Sequence, residues 1–531
     1  MANEIDRILY KLKDLASCYS FGRLLGYFSF FETIGVDNQL ERDNRPEELT
    51  LTSSEREFLC GLWLGNIDLT KKGWPISEDD DKGKLTLQLM ESLRKQYIQT
   101  DFSNSFKYQV FYGGDDGYDW QFLKIAKYKY EGEVTRNFLL KKGLDINLAN
   151  RVYQKAKSII EKQIKRRIVQ KRKHKEYLSP LNLFVLSPRV MNREFSSEEL
   201  SILKAFSISL QDNNFPSLND IGDWNPFKET PIILLPDDRG LFIPNFLTLS
   251  IAMNETPFFW VKDDTNKSVF YERGINSEKI VQRIICKKFS SNDYISDRII
   301  KKSKTGNNQV TDIDVLLKIK DLGILFQIKS KALTLASKKG NIDKIEEDFH
   351  KGIENAYIQG VKCISCLKDF KGFISLKEDE SFLENIESYI VVCVTTETFP
   401  TITLLSPQLY KLECPFVAMT AYDLDSIFSL FPANTIRQYF LFMTICSDEN
   451  IFGMNEMYFI GAFIFHVLGF KIIVDAEGVL PKDYAKFADY LINQQHFRPK
   501  SIVINSFEDI FIWFNKNESA LQSSFPLIFK I

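Results

Sequence analysis

The spacing of apolar residues predicts helices through the first third of the chain. Apolar side chains recur three and four positions apart near the N-terminus and again over 84–99, which places them on one face of a helix. A longer helical pattern follows from about 146 to 177. Residues 1–185 are therefore predicted to form a mostly helical N-terminal region.

Residues 186–265 are predicted to form a small mixed connector module. Ser196, which precedes Ser197 and Glu198, is typical of a helix N-terminus. The segment PIILLPDDRGLFIP places the turn-forming residues DDRG between two apolar runs, so it is predicted to form a hairpin.

From about residue 266 the pattern changes to alternating helices and short apolar strands. Ser277 is predicted to cap the first helix, and the turn Asp321-Leu322-Gly323 to join the first two strands. This order predicts a sheet flanked by helices over 266–435. The predicted elements are a helix at 277–289, strands at 310–320 and 324–331, a helix at 343–367, a strand at 389–396 and a strand leading into a helix at 415–431.

Residues 436–531 are predicted to form a mixed α/β C-terminal portion of unknown role, with short strands in KIIVDA and SIVINS. The longest apolar run of the chain, Met457 to Phe470, is too short to span a bilayer and contains His466. We expect a buried helix there and no membrane partner.

The composition of the chain excludes several classes of protein and leaves the multidomain α/β prediction in place. The 531 residues are 44% hydrophobic and 26% charged, which excludes wholesale disorder. The net charge of -2 gives no global basic bias, so any nucleic-acid surface must be local. Eight scattered cysteines and an N-terminus without a signal-peptide pattern predict a cytoplasmic protein with reduced thiols. The pair Cys363 and Cys366 lacks further metal ligands and is interpreted as buried thiols.

The densest local charge lies in the predicted long helix. The window Lys162–Lys175 holds eight Lys and Arg residues, one His and no acid. Two interpretations stay open: a solvated helix face, or a stripe whose cations contact the phosphates of nucleic acid. The candidate contacts are Lys165, Arg166, Arg167, Lys171 and Arg172.

One hairpin carries the residues that indicate chemistry. Gln327 and Lys329 are two positions apart in a strand and share a face, and the predicted turn places Asp314 roughly opposite Lys329. One face then presents a carboxylate, an amide oxygen and an ammonium group. A hard cation held by such oxygens polarises a phosphate and lowers the pKa of a water, while a lysine stabilises the transition state. The hairpin therefore indicates phosphodiester hydrolysis, with Lys331 nearby to hold phosphate.

This arrangement resembles the PD-(D/E)XK, or restriction-endonuclease-like, nuclease superfamily. Asp314 matches the aspartate of the motif, Lys329 its lysine, and Gln327 its acidic position in the Q-x-K form found in Mrr-type endonucleases. The family core is a helix, a hairpin carrying the motif, a second helix and further strands. The resemblance covers 266–435 and implies a restriction-endonuclease-like α/β/α core, with Glu278 on the first helix at the position of a frequent family glutamate.

The resemblance implies a site for Mg²⁺ or Mn²⁺ formed by Asp314, Glu278 and Gln327, with Lys329 positioning the attacking hydroxide. Glutamine removes one negative charge, which favours one metal ion over two. Asp312 is expected to assist from outside the metal ligands. Tyr357 and Gln359 loosely match residues that the family carries near the site on its second helix.

The function implied is that of a metal-dependent endonuclease, acting on DNA more often than on RNA. Family nucleases often pair two active sites, which implies a homodimer, and the large remainder of the chain suggests a regulatory protein partner. Antiviral defence in bacteria or DNA processing is the expected setting. A second hypothesis stays open: a catalytically degenerate nuclease fold that binds nucleic acid or a protein partner.

Overall fold

The chain is described by a computed structural model, in which the described residues group into two compact units. The first unit comprises Met1–Glu272 with Lys338–Asn341, and the second Arg273–Ser337 with Ile342–Ile531. Their boundary lies close to the predicted one at 265/266, and the finer division into four segments stays a prediction. The described residues are 2–37, 51–98, 102–112, 117–174, 180–212, 215–262, 267–301, 309–368, 373–374, 381–400, 402, 414–453, 455–475, 478–497 and 516.

The first unit is mostly helical up to residue 183, as the apolar spacing predicts. Thr52 and Glu55 form a capping box that starts the third helix, and Trp63 in that helix is fully buried in the core. The helices of this unit are α1 (Ala2–Ala16), α2 (Phe21–Asp37), α3 (Ser53–Asn66), α4 (Asp79–Ile98), α5 (Phe102–Tyr112), α6 (Asp119–Lys129), α7 (Glu133–Lys141), α8 (Ile146–His174), α9 (Pro180–Leu183), α10 (Pro188–Glu194), α11 (Ser197–Ala205), α12 (Pro226–Glu229) and α13 (Phe246–Lys262).

A small four-stranded sheet completes the first unit, in the order β1, β4, β3, β2. The predicted hairpin is confirmed, because β3 and β4 pair antiparallel. Asp237 and Asp238 take left-handed φ angles of 56° and 52° in its turn, which aspartate tolerates better than most residues. The strands are β1 (Val185–Leu186), β2 (Ser207–Ser209), β3 (Ile232–Leu235) and β4 (Gly240–Phe242).

The second unit is built on a six-stranded mixed sheet in the order β10, β9, β7, β6, β5, β8. Strands β5, β6 and β7 form an antiparallel meander, and β9 and β10 continue parallel to β7. Strands β7, β9 and β10 are almost wholly buried, as expected where helices cover both faces. The strands are β5 (Tyr294–Lys301), β6 (Gln309–Ile319), β7 (Leu322–Lys329), β8 (Phe373–Ile374), β9 (Ser388–Thr395) and β10 (Phe416–Thr420).

The main helix on this sheet, α17, follows a π-helical turn at His350–Glu354 and packs on β6, β7 and β9. Gly360 permits its close approach, since a Cβ there would lie 2.5 Å from Val391 Cγ1. The helices after α13 are α14 (Lys267–Ile285), α15 (Leu335–Lys338), α16 (Ile342–Phe349), α17 (Asn355–Lys368), α18 (Ala421–Leu430), α19 (Ala433–Asp448), α20 (Glu456–Val467) and α21 (Lys482–Phe497).

Several predicted details are wrong. Helix α14 begins at Lys267, so Ser277 lies inside it and its hydroxyl donates to the carbonyl of Arg273 instead of capping an N-terminus. The KIIVDA segment has no strand over residues 471–475, and SIVINS lies outside the described residues.

The apolar run near residue 460 does form the buried helix α20. None of the described helices is long and apolar enough to cross a membrane.

The turn between β6 and β7 also differs from the prediction. Ile319 pairs with Leu322, so the turn is formed by Lys320 and Asp321, and Lys320 takes a φ of 60°. The register of the hairpin moves with the turn, and this changes which site residues face one another.

Candidate functional site

The candidate site begins where β6 and β7 stop pairing. Their last pair is Val315 with Phe326, and continuing that register sets Asp314 across from Gln327, not from Lys329 as predicted. The amide N–H of Ile328 donates to Asp314 Oδ2 at 2.7 Å. The Asp314 carboxylate, which is only 7% exposed, therefore replaces the backbone of β6 as the hydrogen-bond partner of β7. The backbone of β7 holds this carboxylate in place.

Lys329 is held over the sheet by a side chain from α17. Its ammonium group donates to Gln359 Oε1 at 2.9 Å, and Gln359 Nε2 donates to Asp312 Oδ1 at 2.6 Å. Register continuation also sets Lys329 across from Asp312. The predicted set of Asp312, Lys329 and Gln359 thus forms one hydrogen-bonded chain, in which the glutamine orients the lysine.

Gln327 is fully buried beside this chain. Its Nε2 donates to the backbone carbonyl of Asp312 at 3.3 Å and to Cys363 Sγ at 3.8 Å. Its Oε1 is buried and has no hydrogen-bond partner among the described residues. Leaving a buried carbonyl oxygen unpaired costs about 1–3 kcal/mol, so this oxygen is a ready acceptor for a bound cation.

Cys363 contributes packing to the site. Its side chain is fully buried, and burial raises the pKa of the thiol to about 12. The thiol is therefore neutral at physiological pH and gives no support to a zinc site. The predicted burial is confirmed for Cys363, whereas Cys366 is only partly buried.

Glu278 joins the site from α14. Burial raises its pKa to about 8, together with a hydrogen bond between the Glu278 and Asp297 carboxyl groups and repulsion by the strand aspartates. Burial likewise raises the pKa of Asp314 to about 6, against the opposing effects of the Ile328 amide and Lys329. Asp297 and Asp312 repel both groups, and Asp314 repels Glu278, so these four carboxyl groups are neighbours.

Asp297 is the site residue that the sequence reasoning missed. It lies on β5, a strand absent from the prediction, and the Gln282 amide donates to its Oδ2 at 3.2 Å. The alternation of YISDRIIK is interrupted by Asp297 and Arg298, which hides the strand. Recognising YISDRIIK as a third strand ahead of the hairpin would have exposed Asp297.

A short set of bonds fixes the helix turn that carries Glu278. The Ser277 and Thr396 hydroxyls are 2.8 Å apart, and Arg273 forms an ion pair with Glu397 at 2.8 Å. The Thr396 amide in turn donates to the carbonyl of Lys329 at 3.1 Å. Helix α14 is thereby attached to the end of β7, where the lysine leaves the sheet.

The other predicted residues lie further from this centre. Tyr357 packs edge-on against Phe416 with ring centroids 5.1 Å apart, and its hydroxyl accepts from the Cys414 amide. Lys331 forms an ion pair with Asp348 at 2.6 Å, so a phosphate would have to compete with that carboxylate.

Part of the predicted basic stripe is described, on α8 in the first unit. Lys165 and Arg166 are exposed there, as either interpretation of the stripe requires. The side chains of Arg167, Lys171 and Arg172 lie outside the described residues.

The donor set fits a hard cation without forming a ready-made cage. Carboxylate and amide oxygens from Asp314, Glu278 and Gln327 are the ligand types that Mg²⁺ prefers. Among the described residues, however, no three Asp, Glu, His or Cys side chains converge as a metal-binding group. The carboxylates are instead bonded to neighbouring side chains and backbone, and those bonds would have to rearrange for a cation.

Comparisons with protein-family models, with curated proteins and with solved structures give no match. The chemistry must therefore be inferred from the residues of the site. Carboxylate and amide oxygens are ligand types for a divalent cation, and an oriented ammonium group can stabilise negative charge on a phosphate.

Proposed function

We propose that this protein is a metal-dependent nuclease that hydrolyses phosphodiester bonds in nucleic acid, with DNA favoured over RNA. The observation that carries the proposal is the buried carboxylate of Asp314 beside Lys329, at the point where β6 and β7 separate. A buried acid among like charges is typical of a functional site, because folding alone gains nothing from that repulsion.

In this proposal the residues have separate roles. Asp314, Glu278 and the Gln327 side-chain oxygen would hold Mg²⁺ or Mn²⁺, which when bound supplies positive charge to the phosphate and acidifies a water. Lys329 donates hydrogen bonds toward the attacked phosphate or the nucleophile. Gln359 keeps the lysine in that orientation, as its hydrogen bond to Lys329 supports.

The order of elements supports the resemblance to the PD-(D/E)XK superfamily. Helix α14 precedes the antiparallel strands, α17 follows the hairpin, and β9 returns parallel beside β7. This is the helix, hairpin, helix and further strands that the resemblance implies. The proposed setting, cytoplasmic antiviral defence or DNA processing by a homodimer with a regulatory partner, comes from the resemblance alone.

One observation favours the alternative of a degenerate, binding-only fold. Asp314 already accepts from Ile328, and Asp312 already accepts from Gln359, so a stable network exists without a cation. That alternative predicts phosphate-dependent binding that survives loss of both Asp314 and Lys329.

The test is cleavage of supercoiled plasmid, linear duplex, single-stranded DNA and RNA with Mg²⁺ or Mn²⁺. Wild type is compared with Asp314→Ala and Lys329→Ala, and binding of each is measured in parallel. Metal-dependent cutting that both variants lose, with binding retained, supports the nuclease. Binding without cutting in every protein favours the alternative.

A further inference from the structure

We infer that Asp297 is a further ligand of the divalent cation, and that it supplies from β5 the negative charge that Gln327 lacks on β7. The inference rests on the proposed metal site and extends it to a strand outside the sequence motif. It follows from one row of residues that crosses three neighbouring strands.

The sheet register places Asp297 beside Asp314. Ser296 pairs with Val315 and Arg298 with Ile313, so position 297 falls opposite position 314. Across the next strand, Val315 pairs with Phe326, which sets Asp314 opposite Gln327. Adjacent strands are about 4.8 Å apart, so the row brings a carboxylate, a second carboxylate and an amide onto neighbouring strands of the sheet.

Gln327 gives independent evidence that this row accepts a ligand. Its side chain is completely buried at the far end of the row, and its Oε1 has no hydrogen-bond partner within the described part of the chain. A cation would satisfy the Oε1 acceptor of Gln327, whereas another ionised carboxylate, which has no hydrogen to donate, would leave Oε1 unpaired.

Charge explains why a residue outside the motif is needed. With glutamine at the acidic position of the motif, Asp314 and Glu278 provide two negative charges. Asp297 bonds to Glu278 and raises the electrostatic cost of ionising both Glu278 and Asp314, which places it in the same space. A third carboxylate restores the charge that an acidic residue at position 327 would have contributed.

The experiment measures Mn²⁺ binding to the full chain by calorimetry and by the Mn²⁺ electron paramagnetic resonance signal. Asp297→Asn and Asp297→Gly both remove the carboxylate. Asp297 has a left-handed φ of 55°, which asparagine tolerates and glycine adopts freely, so both variants keep the local backbone. Asp238→Asn, at a left-handed aspartate of the first unit with a φ of 52°, is the matched control.

We expect both Asp297 variants to bind Mn²⁺ at least about tenfold more weakly than wild type, with Asp238→Asn unchanged. Adding Gln327→Glu to Asp297→Asn should recover part of the affinity, because it returns a carboxylate to the same row. Unchanged affinity in both Asp297 variants overturns the inference and leaves the proposed nuclease standing. A wild-type chain that binds no Mn²⁺ overturns the inference together with the proposed metal site, and cleavage by such a chain would show a metal-independent nuclease.

Discussion

Asp314 and Glu278 both have pKa values above their usual range, and their shared cause is burial among other acids. A proton on each stabilises the metal-free site, because it removes repulsion that no nearby cation fully balances. A bound divalent cation would reverse that preference, since it binds the ionised carboxylates. Protonation and metal binding therefore compete for the same oxygens.

This competition predicts how metal affinity depends on pH. With a pKa of about 6 for Asp314 and about 8 for Glu278, both carboxyl groups are protonated below pH 6, and both are ionised above pH 8. Mn²⁺ affinity should rise between these limits, and binding at pH 7 should release protons into a weakly buffered solution. A pH-indicator dye measures the release. Affinity that stays flat from pH 6 to 8 would contradict the shared site, and Glu278→Gln should lose the upper part of the rise.

Gln359 gives a second residue-scale prediction. Gln359→Leu removes the acceptor of Lys329 and the donor to Asp312 while keeping a side chain of similar size. We expect cleavage to fall about 10- to 100-fold, as for other groups that orient a site from outside, while nucleic-acid binding is retained. The neighbouring variant Ile358→Ala, at a side chain that is 51% exposed, should cleave normally. Equal loss of binding and cleavage would instead indicate damage to the fold.

At the scale of elements, the site depends on how closely α17 approaches the sheet. Gly360→Ala places a methyl group against Val391, within 2.5 Å of Cγ1 in the present geometry. We expect a loss of about 1–3 kcal/mol in the free energy of unfolding, as overpacking usually causes, and weaker cleavage because the helix carries Gln359.

A matched glycine separates packing from helix propensity. Gly274 lies inside α14, and a Cβ there meets nothing within 4 Å. Gly274→Ala should therefore stabilise the protein, by up to about 1 kcal/mol, because alanine is the better helix former. Urea titrations of both variants decide the matter. If both Gly360→Ala and Gly274→Ala destabilise the protein, the loss at position 360 would be due to the conformation of glycine and not to contact with Val391.

The elements also show what the sequence could and could not predict. Apolar runs correctly predicted β6, β7, β9 and the helix between β7 and β9, because buried strands and amphipathic helices have characteristic spacing. The predicted register of the hairpin was wrong because the turn is formed by Lys320 and Asp321, while Leu322 and Gly323, which the prediction included in the turn, already pair in β7. Asp297 was missed because Asp297 and Arg298 interrupt the alternation of β5, so the strand that sets Asp297 beside Asp314 leaves no clear pattern in the sequence.

At the scale of the whole molecule, the proposed chemistry and the basic stripe belong to different units. The second unit contains the carboxylates and Lys329, and the first contains Lys165 and Arg166 on α8. Binding and cleavage should therefore be separable by mutation, provided that the stripe contacts phosphates and is not only a solvated helix face.

The double variant Lys165→Ala/Arg166→Ala tests that separation. If both side chains contact phosphates, binding to any duplex sequence weakens, and the slope of log affinity against log salt decreases by up to about two. Mn²⁺ affinity should not change, because the proposed cation site lies in the other unit. The charge-matched control is Arg7→Ala/Lys11→Ala, at two exposed residues of α1, which should leave the salt slope as it is. If both double variants bind duplex DNA like wild type, the stripe at Lys165 and Arg166 is a solvated face. The residues that contact phosphate must then be sought in the second unit, beginning with those around Lys329.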